Sequence, residues 1–90
     1  MIYHNLWLCF FIEIELYMDE KEKKFLKMIG QNIAKNRKAM GFSQLDICSI
    51  IRMEKSNLSS IENGRQNVTS LTLLKISKAI GVEVSSFFQE

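Results

Sequence analysis

Proline is missing from the 90 residues, histidine occurs once and cysteine twice. Each shortage removes a class of answer. With no proline, nothing in the chain forces a break in a helical pattern. His4 stands alone, so no imidazole beyond position 4 can serve as a positioned base, and most hydrolytic mechanisms fall away. Cys9 and Cys48 share no repeated spacing and no CxxC, which is not a disulfide framework. Tetrahedral zinc needs more ligands than His4 and Cys9 supply. No nucleophile and base pair, metal set or glycine-rich phosphate loop is visible, and the expectation is a protein that is not an enzyme and needs no cofactor.

Basic charge is missing from the first eighteen residues, which hold two acids, Glu13 and Glu15, for a net −2. Residues 19–90 then hold twelve Lys and Arg against eight acids, +4, and residues 35–78 hold eight against Asp46, Glu54 and Glu62, +5. The overall +2 conceals this excess. A basic centre of this kind points toward a polyanion. A chain this short buries only about 60% of the surface it exposes when unfolded. With disulfides and metal discounted, self-association is the remaining aid to stability.

Long apolar runs are also scarce. The stretch Leu6-Trp7-Leu8-Cys9-Phe10-Phe11-Ile12 ends at Glu13, well short of the roughly 20 residues a membrane span requires. A secretory signal is not expected, because the segment lacks a basic n-region and a small-residue cleavage site. Ile12-Glu13-Ile14-Glu15-Leu16 alternates with the period of a strand. Residues 1–18 thus form an apolar extension with three open readings: a strand pairing with its copy in a dimer, a membrane-surface segment, or sequence upstream of the working protein. His4 and Trp7 fit an interface or a chain end.

From Asp19 the period becomes helical. Phe25, Ile29, Ile33, Arg37 and Met40 recur at steps of four and three, predicting a long amphipathic helix ended by Gly41. Ser43 caps a second helix over Gln44 to Ile51, with Asp46 completing a capping box and Leu45, Cys48 and Ile51 facing inward. A short joint leads to a third helix, from Glu54 to about Glu62, that buries Leu58 and Ile61. Thr69 or Ser70 caps a fourth, with Leu73, Leu74, Ile76 and Ile80 inward. A fifth short turn, Ser85 to Gln89, carries Phe87 and Phe88, both candidates for the core. Lys21, Lys23, Lys24 and Lys27, interleaved with Glu20 and Glu22, read as a solvated helix face rather than a DNA arm, and Lys75 and Lys78 read as surface charges. Both cysteines read as packing residues.

Two short helices on a three-residue joint, the second polar on its outer side, fit a helix-turn-helix by architecture. The residues sharpen this. Gly41-Phe42-Ser43-Gln44, Leu45 and Cys48, then Leu58 to Gly64, then Leu73 to Val82 resemble the phage-repressor, Cro and XRE helix-turn-helix family over about residues 26–88. The resemblance implies an all-α, five-helix lambda-repressor-like domain over residues 19–90. It implies that Ser43 caps the second helix while Gln44 grips a phosphate and supports the recognition helix. Lys55, Ser56, Asn57 and Ser60 fall on base-reading positions, and Asn63, Arg65 and Gln66 on a loop that touches the sugar-phosphate backbone. It also implies a buried ion pair between Arg37 and Glu62. Helix geometry agrees independently on one point: Ser56, Ser60 and Asn63 lie opposite Leu58 and Ile61.

Departures from the family pattern concern turn geometry. Arg52 stands where glycine is common in the joint, Glu54 where a serine or threonine caps, Val68 where proline is frequent, and Cys48 where alanine is usual. The function expected is that of a cytoplasmic, sequence-specific DNA-binding transcriptional regulator, a homodimer on double-stranded DNA with no membrane partner. A second reading stays open: an antitoxin-type module of the same fold that holds a partner protein and regulates its own operator. Its discriminating feature is the apolar N-terminus.

Overall fold

The computed structural model describes residues 18–90. Its elements are α1 (Glu20–Ala39), α2 (Gln44–Ile51), α3 (Lys55–Glu62), α4 (Ser70–Ile80) and a 3-10 turn (Val84–Phe88). No strand occurs among the described residues, and the strand read in the N-terminal extension lies outside them. The expected fifth helix is that 3-10 turn. Five residues are too few to repay helix nucleation, and the run instead closes on its own donors, with Ser86 Oγ donating to the Glu83 carbonyl at 2.7 Å.

Local signals set the boundaries. Asp19 and Glu22 form a capping box on α1, Ser43 and Asp46 on α2, and Thr69 accepts from the Thr72 amide on α4. Gly41 and Gly81 take left-handed backbone just past α1 and α4, where a side chain would be strained. α1 packs against α3, α4 and the 3-10 turn, and α2 packs against α3 and α4. The core between them is built from Ile29, Ile33, Ile47, Cys48, Leu58, Ile61, Leu73, Ile76, Ile80 and Phe87.

Four residues expected inside are exposed: Phe25, Met40, Leu45 and Leu74. Met40 is the C-cap residue beyond the end of α1, and for the other three the cause is visible on the helical wheel. In α2 the inward direction lies between the buried neighbours Ile47 and Cys48, and at 100° per residue Leu45 falls about 110° away from it. Gln44 falls almost on it. In α4 the line through Leu73, Ile76, Ser77 and Ile80 leaves Leu74 on the flank. In α1 the buried line is Leu26, Ile29, Gly30, Ile33 and Arg37, so Leu26 replaces Phe25. Phe25 instead meets Phe88 across the end of the domain, ring centres 6.2 Å apart. Of the two terminal phenylalanines only Phe87 is core; Phe88 is exposed.

Candidate nucleic-acid interface

The joint between α2 and α3 holds its turn without glycine. Arg52 takes φ 56° and ψ 51°, the left-handed region, at a cost of about 1–2 kcal/mol for an L-residue. Its amide donates to the Cys48 carbonyl, and the Met53 amide reaches the same oxygen at 3.0 Å. α3 then starts at Lys55 with extended Glu54 as its cap residue, and no side-chain hydrogen bond closes that end. The sequence departures at 52 and 54 thus leave the turn intact and make it less stable than it could be.

Leu58 and Ile61 anchor α3 from below, while Lys55, Ser56 and Asn57 stand exposed along its first turn and Ser60 is half-buried a turn further on. The loop after α3 folds back on it. Arg65 and Gly64 amides donate to the Ser60 and Ile61 carbonyls at 3.0 Å each, and the Asn63 side chain donates to the Ser59 carbonyl at 2.8 Å. Gln66 donates through Nε2 to Asn57 Oδ1 at 2.7 Å. One expected backbone-contact residue therefore steadies one expected base-reading residue.

Beneath this surface Arg37 forms a two-pronged ion pair with Glu62, Nε to Oε2 at 2.8 Å and Nη2 to Oε1 at 3.0 Å, both groups buried. Nη1 of Arg37 also donates to the Phe42 carbonyl at 2.9 Å. The Glu62 carboxylate holds the guanidinium pKa above its ordinary value against the opposing effect of burial. Gln44, half-buried, donates through Nε2 to Glu62 Oε1 at 2.9 Å. The amide keeps one N–H and its carbonyl for another partner. The bond gives physical form to the support of the recognition helix expected of Gln44, and it follows from the place of Gln44 on the inward line of α2.

Ser43 Oγ accepts from the Asp46 amide at 3.0 Å and the Ser43 amide donates to Asp46 Oδ2 at 2.8 Å. Those hydrogen bonds with Ser43 hold the Asp46 carboxyl below its usual range. Burial raises the Cys48 thiol, helped by the Glu62 charge, so it is a packing group. Among the described residues no three His, Cys, Asp or Glu side chains converge on a possible metal, and no helix is long and apolar enough to cross a membrane.

The helix-turn-helix family profile matches residues 33–87. The chain belongs to the XRE-type helix-turn-helix family. Among relatives of this family, an uncharacterized HTH-type transcriptional regulator, y4dJ of Sinorhizobium fredii, is 36% identical over 56 residues, which is 62% of this chain and 73% of that protein. The control protein C.MunI of Mycoplasma sp. is 36% identical over 62 residues, covering 68% of this chain and 84% of its own length. Among solved structures, the restriction-modification controller protein C.AhdI from Aeromonas hydrophila superposes with a TM-score of 0.67 at 28% identity, covering 70% of this chain and 96% of that one. As an XRE-type helix-turn-helix chain, this protein falls in a class of transcriptional regulators that bind double-stranded DNA.

Proposed function

We propose that the protein is a sequence-specific repressor-type regulator that works in the cytoplasm as a homodimer on a palindromic operator. Two copies would place their α3 helices about 34 Å apart in successive major grooves. Lys55 donates to guanine O6 and N7, Asn57 pairs with adenine, and Ser56 and Ser60 accept or donate without strong preference. Ser43, Gln44, Asn63, Arg65 and Gln66 hold the sugar-phosphate backbone and set register. The observation that carries this reading is the exposed polar first turn of α3, set over buried Leu58 and Ile61 and braced by the Arg37 to Glu62 pair.

The test is selection from a random duplex pool, with wild type beside a Lys55→Ala, Ser56→Ala, Ser60→Ala variant. Wild type should recover a palindrome, and the variant should lose it while keeping weak, salt-sensitive binding. Sedimentation of the recovered complex should give two chains per duplex. A well-folded wild type that enriches no site would sink the proposal and turn attention to a partner protein bound through the N-terminal segment.

A further inference from the structure

The two flanks of α1 differ in kind. Taking Leu26 as the inward direction, 100° per residue puts Lys23, Lys27 and Lys24 at about 60°, 100° and 160°, all on one side, with Phe25 and Lys21 on the other. The lysine flank faces the loop after α3. Lys23, Lys24 and Lys27 line a groove of about 630 Å³ together with Asn63, Gly64 and Arg65. Four cations thus surround it, against Glu20, whose carboxylate lies 3.9 Å from Lys23.

Backbone packing, not chance side-chain posture, makes this juxtaposition. A Cβ at Gly64 would lie 2.7 Å from Lys27 Cα and 2.9 Å from its nitrogen, so the loop seats its bare backbone directly on the Lys27 turn. A Cβ at Gly30 would lie 2.5 Å from the Glu62 carbonyl oxygen, which fixes the same crossing one turn further on. Three of the last four carbonyls of α3, Ser59 to Ile61, already accept from Asn63, Gly64 and Arg65, so the lysines are not needed to satisfy those three. Lys23 and Lys27, four apart, also repel one another on the helix surface. The arrangement therefore holds a net positive charge beside the base-reading helix even with Lys23 paired to Glu20.

We propose that Lys23, Lys24 and Lys27 form, with Arg65, a second phosphate-binding track that grips the DNA backbone beside each half-site. The inference rests on the DNA-binding reading above and extends the contact surface onto α1. Spacing fits the ligand: four residues of helix advance about 6 Å, which exceeds the about 3.4 Å axial rise between neighbouring phosphates of one strand and comes close to their separation once the rotation of the duplex between them is added, so Lys23 and Lys27 can meet neighbouring phosphates.

The experiment is a salt titration of binding to a fluorescein-labelled mixed-sequence duplex, read by anisotropy between about 50 and about 200 mM salt. Wild type is compared with Lys23→Gln, Lys24→Gln, Lys27→Gln, and with a Lys35→Gln, Lys75→Gln, Lys78→Gln variant that loses the same charge elsewhere. Thermal melts confirm that each variant is folded. Each phosphate contact contributes about 0.9 to the slope of log K against log salt. The α1 variant should flatten the slope by about 2 to 3, and the control by less than about 1. An unchanged slope in the α1 variant, or equal flattening in both, overturns the track while leaving the DNA-binding reading standing. A wild type with no salt-dependent binding overturns both.

Discussion

Arg37 and Glu62 lie 25 residues apart in sequence and meet through two short hydrogen bonds under the base-reading helix. The pair ties α1 to the end of α3, and Gln44 adds α2 to the same carboxylate. Removing one partner strands a buried charge. Arg37→Met or Glu62→Leu alone should each cost about 3–5 kcal/mol in urea unfolding. The double variant should lose far less than the two combined, because no lone charge is left behind. Gln44 loses its anchor in Glu62→Leu and in the double variant, so the double variant should fold yet bind DNA more weakly than wild type.

Two glycines of different character give a sharp contrast in stability. Gly41 has φ +83°, and a Cβ there would meet nothing within 4 Å, so Gly41→Ala should cost only the left-handed strain, about 1 kcal/mol. Gly30 lies inside α1, where alanine is worth up to about 1 kcal/mol in propensity. Its Cβ would nevertheless meet the Ile61 and Glu62 carbonyls, which are backbone and cannot step aside. Sterics should win, and Gly30→Ala should destabilise by about 3 kcal/mol, read by denaturant midpoint at constant slope. A neutral or stabilised Gly30→Ala would show that α1 and α3 can separate freely.

The helical frame was legible because its punctuation is local: Ser43 with Asp46, Thr69 before α4, and Gly41 and Gly81 after the helices they end. The Arg37 to Glu62 pair came from family resemblance, and a charge on an apolar stripe was its only local trace. Inward faces were read less well where two apolar residues compete. Leu45 was preferred to Ile47, and Phe25 to Leu26, because a stripe of four- and three-residue steps admits either neighbour and only tertiary packing selects one. The lysines of the basic groove stand out in the sequence, but they read as a solvated face and their place beside the loop after α3 is not legible there. It depends on Gly64 seating the loop on the Lys27 backbone, a contact across 37 positions that periodicity does not encode.

The α2 to α3 joint carries two repairable defects. Arg52 sits in left-handed backbone, which costs about 1–2 kcal/mol, and glycine there gives back about 0.5–1 kcal/mol through its freer unfolded chain. Arg52→Gly should therefore stabilise by up to about 1 kcal/mol. Glu54 offers α3 no cap hydrogen bond, and Glu54→Ser should add about 1 kcal/mol by supplying one. The two sites are close enough to couple, so the double variant is measured directly. Glu54→Ser also removes a negative charge beside Lys55 and should tighten DNA binding, most visibly at low salt.

Acid should weaken the N-terminus of α2 through Asp46. Its carboxylate accepts the Ser43 amide at 2.8 Å, and its folded pKa is depressed by the hydrogen bonds with Ser43. A depressed carboxyl binds fewer protons when folded than when unfolded. Its stabilisation is therefore fully present above the unfolded pKa of about 3.9 and is lost as pH falls through the lower folded value. Asp46→Ala should be less stable than wild type by a constant margin between about pH 5 and 7, with the margin narrowing below about pH 4. Urea unfolding across that range reads the margin, and the carboxyl carbon resonance of Asp46 reads the pKa directly. A margin that stays constant down to about pH 3, or a carboxyl midpoint at or above about 3.9, would show that the Ser43 hydrogen bonds do not favour the charged form.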